Sequence, residues 1–194
     1  MIILSFFNAG FCLAQNVEQN NYTDSEIIEY FRASYNLEKY DEALKLIEAL
    51  PKEKYDEEIY LLLGNIAQSK GNNEKTVENY NSALKINPKF YKAYYNLGNF
   101  YFIKSDYNLA IENYKKATKF NKDFAPAYYN LGCAYLKLEK PKNAKPNFIR
   151  AISINPQNPN YYYNLAIAYK MLKKEKTAQK ILDSLNLQPS KKSN

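Results

Sequence analysis

The 194-residue chain contains no histidine. That removes together the commonest general base and the commonest metal ligand. Cysteine is scarce as well, with only Cys12 and Cys133 present. Cys12 falls in an apolar leader, so Cys133 stands alone in the rest of the chain and has no internal disulfide partner. Arginine nearly vanishes after residue 58, where Arg150 is the one Arg among 22 basic residues. Bidentate contacts to phosphate and guanine favour Arg, so this shortage argues against nucleic acid as a partner. Glycine (five) and proline (eight) are few, and no Gly-rich phosphate loop or metal-ligand cluster occurs.

What is present is aromatic and unevenly charged. Mean hydropathy is low, yet 20 Tyr and 10 Phe supply enough apolar surface for a packed fold. Residues 15–58 hold 12 acidic and 5 basic side chains, a net −7, whereas residues 59–194 hold 8 acidic and 22 basic, a net +14. This gradient reads either as a solvated, Lys-rich surface or as an electrostatic address. The address would be for an acidic partner, or for head-to-tail attraction between copies.

The chain also repeats itself. AYYNLGNFY begins at Ala93, and AYYNLGCAY begins thirty-four residues later at Ala127. The same offset carries Ala110, Tyr114 and Ala117 onto Ala144, Phe148 and Ala151. A fixed period of this length marks a stacked repeat architecture. Tyr94, Leu97, Gly98 and Tyr101 fall at i, i+3, i+4 and i+7, one apolar stripe of a helix. Gly98 and Gly132 sit in mid-helix, where each costs roughly 1 kcal/mol against Ala. That cost is tolerable where a missing side chain lets a second helix approach. Pro88 and Pro156 stop the second helices, because Pro cannot continue the backbone ladder.

In order, Tyr128, Leu131, Gly132, Tyr135, Ala144, Phe148, Ala151 and Pro156 resemble the tetratricopeptide-repeat (TPR) family pattern. The resemblance covers residues 24–190, as repeats at about 24–56, 57–90, 91–124, 125–158 and 159–190, followed by a tail at 191–194. The pattern weakens at both ends: Ile27, Tyr30 and Phe31 replace the usual residues in the first repeat. The fifth has Ala166 for Gly, and Leu182 and Leu185 in its second helix. The resemblance implies an all-α fold, a right-handed α-solenoid of about five helix-turn-helix repeats, with a concave groove that holds an extended peptide or a partner helix.

Residues 1–14, MIILSFFNAGFCLA, are apolar and uncharged, and a polar run begins at Gln15. This stretch reads as a signal peptide cleaved after Ala14, followed by a linker at 15–23. It is too short to span a membrane comfortably, so no transmembrane helix is expected in the mature chain. Export to a periplasm or cell envelope is the expected localisation, and the cytoplasm is the alternative if the leader is not functional.

Turning each first helix by 100° per residue brings a second stripe opposite the core stripe. It carries Lys92, Tyr95, Asn96 and Asn99, then Tyr129, Asn130 and Cys133, then Tyr163 and Asn164, with Asn65 from the second repeat. An Asn side chain offers both donor and acceptor, and Tyr adds contact area with little rotamer entropy to lose. The ladder reads equally as repeat-template filler. The carboxylate clamp known in the family is absent, because Leu61 or Tyr95, and Pro126 or Asn160, stand where its lysines belong. Cys133 has no histidine beside it to make a nucleophile. The expected function is therefore a non-catalytic scaffold that binds a protein or peptide partner in the groove, without a metal or cofactor. The alternative is a self-associating structural or accessory subunit, a homo-oligomer joined through an apolar edge at Ile181, Leu182 and Leu185.

Overall fold

The computed structural model describes residues 22–186. The leader 1–14, residues 15–21 of the linker and the tail 191–194 lie outside them. Ten α-helices and one 3-10 turn account for the regular structure of the described residues, which contain no strand. The chain divides into two units, residues 1–88 and 89–194. In the first, α1 (Asp24–Asn36) pairs with α2 (Tyr40–Glu48), the 3-10 turn Lys52–Lys54 follows, and α3 (Glu57–Ser69) pairs with α4 (Asn73–Ile86). In the second, α5 (Tyr91–Ile103) pairs with α6 (Tyr107–Phe120), α7 (Ala125–Lys137) with α8 (Pro141–Ile154), and α9 (Pro159–Met171) with α10 (Glu175–Asn186). Successive pairs of the second unit stack, α6 on α7 and α8 on α9. This is the all-α solenoid arrangement implied by the repeat.

Helix starts follow from short polar side chains. Thr23 and Glu26 form a reciprocal capping box on α1. Asp56 accepts from the Ile59 N–H at 2.7 Å, Asn72 from Lys75 at 3.0 Å and Asp106 from Leu109 at 3.2 Å. Each cap occupies one of the orphan donors of a helix N-terminus and contributes about 1 kcal/mol. Pro126, Pro141 and Pro159 lie in first turns, where the missing N–H would have had no intrahelical acceptor. Pro146 is different: it lies inside α8 and deprives that helix of one ladder bond.

The turn within every helix pair has one geometry. Glu38, Gly71, Ser105, Glu139 and Lys173 all take positive φ, between 55° and 73°. The next residue returns its N–H five positions back, as in Asp106 to Tyr101 O, Lys140 to Tyr135 O and Lys174 to Tyr169 O, each at 2.9 Å. This Schellman closure satisfies carbonyls that the helix end leaves open. Only Gly71 adopts the left-handed turn without a steric cost; the other four carry side chains there, at about 1–2 kcal/mol each.

The core of each pair is a small residue against a large one. A Cβ added to Gly98 would lie 2.5 Å from the Tyr114 ring, and one on Gly132 would lie 2.6 Å from the Phe148 ring. Gly64 meets Tyr80 in the same way. Tyr80, Tyr114 and Phe148 are buried to within 1% of completely, and Ala83, Ala117 and Ala151 beside them are fully buried. The outer repeats solve the packing differently. Phe31, fully buried, takes the glycine position of the first pair, with Ile47 in the aromatic position. In the fifth, Ala166 and Leu182 hold the two positions. Gly132→Ala should therefore lower stability by about 1–2 kcal/mol, since overpacking outweighs the gain in helix propensity. Adding Phe148→Leu, the pair seen at 166 and 182, should cost less than the two single changes summed. Urea unfolding midpoints measure both, and strict additivity would contradict a direct Gly–ring contact.

Candidate protein-binding groove

In the second unit the first helices α5, α7 and α9 set equivalent side chains one repeat apart. These side chains bond to one another before meeting any ligand. Asn130 Nδ2 donates to Tyr95 Oη at 3.3 Å and to Asn99 Oδ1 at 2.8 Å. Asn164 Nδ2 donates to Tyr129 Oη at 2.8 Å and to the Asn160 carbonyl at 3.1 Å. Both N–H groups of each amide are thus engaged across or along the seam between repeats. Each retains an Oδ1 with no internal donor among the described residues. The donor half of the ladder is structural, and its acceptor half is held in fixed orientation.

A second set of bonds reaches the same residues from the core. Tyr114 Oη donates to Asn99 Oδ1 at 2.8 Å. In the first unit, Tyr80 Oη lies 2.8 Å from Asn65 Oδ1 and 3.0 Å from Gln68 Oε1, and Asn65 Nδ2 donates to Tyr35 Oη at 2.9 Å. Where the core aromatic is Phe148, which has no hydroxyl, Cys133 stands in the position of Asn99. The fifth repeat has Leu182 with Ile167. The series Asn–Tyr, Asn–Tyr, Cys–Phe, Ile–Leu is thus one covarying pair that changes from polar to apolar. Positions 35, 80 and 114 did not figure among the residues expected in the groove. The fifteen-residue spacing from Asn65 to Tyr80 and from Asn99 to Tyr114 was the available signal.

The remaining expected residues fall as follows. Lys92 Nζ lies 5.8 Å from the Phe90 ring centroid. Asn96 is half-buried, whereas Tyr163 is 48% exposed. The Tyr95 ring packs edge-on against Phe124, and the Tyr129 ring lies 4.9 Å from that of Tyr161. Ile181, Leu182 and Leu185 are half-buried, and Ile181 packs on the cluster of Phe148, Leu165 and Ala168. The more exposed apolar side chains in this part are Tyr163, Ile167 and Met171 on α9.

Burial holds these groups neutral. It pushes the Cys133 thiol up to about 11, against smaller opposing effects of the Tyr129 hydrogen bond and Lys137. Burial, then the neighbouring Cys133, pushes Tyr129 up to about 12. Tyr114 is raised further still, again chiefly by burial. A thiol that keeps its proton at neutral pH is a poor nucleophile, so Cys133 serves as a small apolar group packed on the cluster of Phe148, Leu165 and Ala168. Among the described residues no three His, Cys, Asp or Glu side chains gather into a metal-binding group, and no helix is long and apolar enough to cross a membrane.

A family profile described as TPR repeat matches residues 64–102 and 98–139, and two profiles described as tetratricopeptide repeat match 125–158 and 147–180. Together they span more than half of the chain. It belongs to the tetratricopeptide-repeat family. Membership makes the protein an α-solenoid scaffold for protein interaction. No curated protein matches the sequence. Among solved structures, MamA 41-end from Desulfovibrio magneticus RS-1 is similar at 22% identity and TM-score 0.76, over 87% of this chain and 97% of that one. MamA AMB-1 is similar at 21% identity and TM-score 0.71, over 88% and 96%. At such identities the likeness is one of fold alone.

The raised groups set a pH dependence. Tyr129 ionises near 10.0 when unfolded and at about 12 when folded, and Cys133 moves from 9.0 to about 11. The folded chain thus holds protons that the unfolded chain has released, and stability falls as pH rises. The contribution of the two groups is complete below pH about 9 and is lost as pH climbs through about 12. Denaturation midpoints should be flat up to pH 9 and decline above it. Tyr129→Phe, which cannot ionise, should show a shallower decline; an unchanged slope would contradict the assignment.

Proposed function

We propose that this TPR protein is a non-catalytic adaptor that holds an extended peptide or a partner helix along α5, α7 and α9. One observation carries the reading: Asn130 and Asn164 spend both amide N–H groups within the protein and keep one carbonyl oxygen each, one repeat apart. Fixed acceptors at repeat spacing suit the N–H groups of a main chain or of basic side chains, and require no loop closure when the ligand binds. Tyr95, Tyr129 and Tyr163 supply flanking aromatic surface, the residue type that dominates binding energy at protein interfaces. Cys133 and Ile167 shade the groove toward an apolar end. The apolar, uncharged run 1–14, read as a signal peptide, supports an exported or cell-envelope setting for this activity.

The test starts from peptides selected on the immobilised protein from a random library. Tyr129→Ala with Asn130→Ala should weaken the selected peptides at least about tenfold, the loss of roughly 1.4 kcal/mol, with helicity unchanged. Lys142→Glu, on a second helix, should leave them unaffected. Equal loss in both variants, or loss in neither, would move binding away from the groove. Protein recovered from its own cell envelope should begin at Gln15; recovery only from the cytoplasm with Met1 intact would sink the export reading.

A further inference from the structure

Two junctions of the second unit share one device. The tyrosine of each first helix accepts a bond from an asparagine of the next, Tyr95 from Asn130 and Tyr129 from Asn164. Leu165 and Ala168, on the same face as Asn164, close the junction against Phe148, Tyr129 and Cys133. The third tyrosine of the series, Tyr163, has no such donor among the described residues. With Ile167 and Met171 it forms a stripe at i, i+4 and i+8 along α9, exposed to 48%, 46% and 41%. At the inner junction the equivalents Tyr129 and Cys133 are half-buried. α9 therefore carries the first-helix part of a half-junction, and its mate α10 carries the second-helix part, as α8 does toward α9.

The complementary half lies on α1. Counting from the residue before each helix, Thr23 and Asn158, α1 sets Glu29 at the position of Asn164, Tyr30 at that of Leu165 and Ala33 at that of Ala168. At that position Ala134 of the fourth repeat and Ala168 of the fifth, each packed against a preceding repeat, are fully buried. On α1, Ala33 and Glu29 are exposed and Tyr30 is half-buried. Charge selects between pairings. Residues 24–48 hold 7 acidic and 3 basic side chains, and residues 159–186 hold 2 acidic and 5 basic. Joining either half to itself sets like charge against like, whereas joining one to the other sets net −4 against net +3.

We infer that α1 of one copy docks on the Tyr163–Ile167–Met171 face of a second copy, so that copies add head to tail. In this contact the Tyr163 hydroxyl donates to the Glu29 carboxylate, replacing the Asn-to-Tyr bond of the inner seams with a charge-assisted one. Ala33 then lies over Ile167 as Ala168 lies over the Cys133 region. A contact between unlike faces leaves one of each free, so growth is open-ended and depends on concentration. Its electrostatic part weakens with salt. The face shares Tyr163 and Ile167 with the apolar end of the proposed groove, whereas α1 has no part in that groove, so the test is read by self-association and by Ala33→Arg rather than by peptide binding.

Complementation tests it with the full chain. Sedimentation velocity of the wild type should show species larger than monomer that grow with concentration and shrink in about 0.5 M salt, where the screening length falls to a few ångströms. Ala33→Arg blocks only the α1 face and Ile167→Glu only the α9 face, both at exposed positions that should leave the circular dichroism unchanged. Each variant alone should be monomeric, and an equimolar mixture should give a dimer and nothing larger. A monomeric wild type would overturn the inference, whether residues 187–194 or an acidic partner of another kind covers the stripe. So would a dimer that survives Ala33→Arg, because that points to an α9-to-α9 contact.

Discussion

The contact between a glycine on one helix and an aromatic ring on its mate is the constraint on which the rest depends. At Gly98 and Tyr114 no room exists even for a methyl group, so the two helices meet at backbone distance. That closeness carries the ring through the pair. Its hydroxyl emerges on the far side, where it bonds Asn99, and Asn99 in turn accepts from Asn130. A packing decision in the core thereby determines the orientation of amides on the face shared by α5 and α7, the candidate groove. Tyr80 does the same for Asn65 in the first unit. Phe148 breaks the chain of bonds, and Cys133 opposite it is the compensating change. Removing one partner of a buried hydrogen bond is costlier than replacing both by apolar groups, which is why the pair changes together.

The basic charge of the chain has a partly structural use. Lys116 lies 5.6 Å from the Tyr94 ring centroid, and Arg150, one repeat on, lies 5.7 Å from that of Tyr128. Arg150 also pairs with Asp123 and donates to the Lys122 carbonyl. Lys115 over Tyr135 and Lys145 over Tyr169 repeat the theme. Such exposed contacts contribute about 0.5–1 kcal/mol each, and the long side-chain stems cover apolar ring surface. The abundance of Lys on the second helices therefore follows in part from the abundance of Tyr on the first. What remains for recognition is the difference between the acidic first helix pair and the basic fifth.

Much of the fold was legible because the repeat writes its packing into residue identity. Gly98, Gly132, Tyr114 and Phe148 stand at a fixed offset, and their sizes state which helices must approach. The turns were not legible in the same way. Ser105, Glu139 and Lys173 adopt left-handed backbone without glycine, since the Schellman bonds around them outweigh the steric cost. Pro146 gives no sequence sign that it lies within a continuing helix. For the groove, helical period identified which residues share a face but not what they bond. Asn130 and Asn164 look alike in sequence to free hydrogen-bonding groups. Only the positions of Tyr95 and Tyr129 one repeat back reveal that their donors are spent. The Asn–Tyr spacing of fifteen residues was visible in the sequence, but it acquires meaning once the ring is known to cross the helix pair.

The link from core ring to groove amide is most directly tested by the side-chain amide resonances of Asn99, Asn130 and Asn164 in wild-type protein and in Tyr114→Phe. The wild type should show all three dispersed from random-coil positions, with slowly exchanging protons on Asn130 and Asn164. Tyr114→Phe should shift Asn99 and Asn130 and speed exchange at Asn130, while Asn164, held by Tyr129 and the Asn160 carbonyl, stays where it was. If Asn130 keeps its shift and its exchange rate when the Tyr114 hydroxyl is gone, the core does not orient the groove and the central claim is wrong.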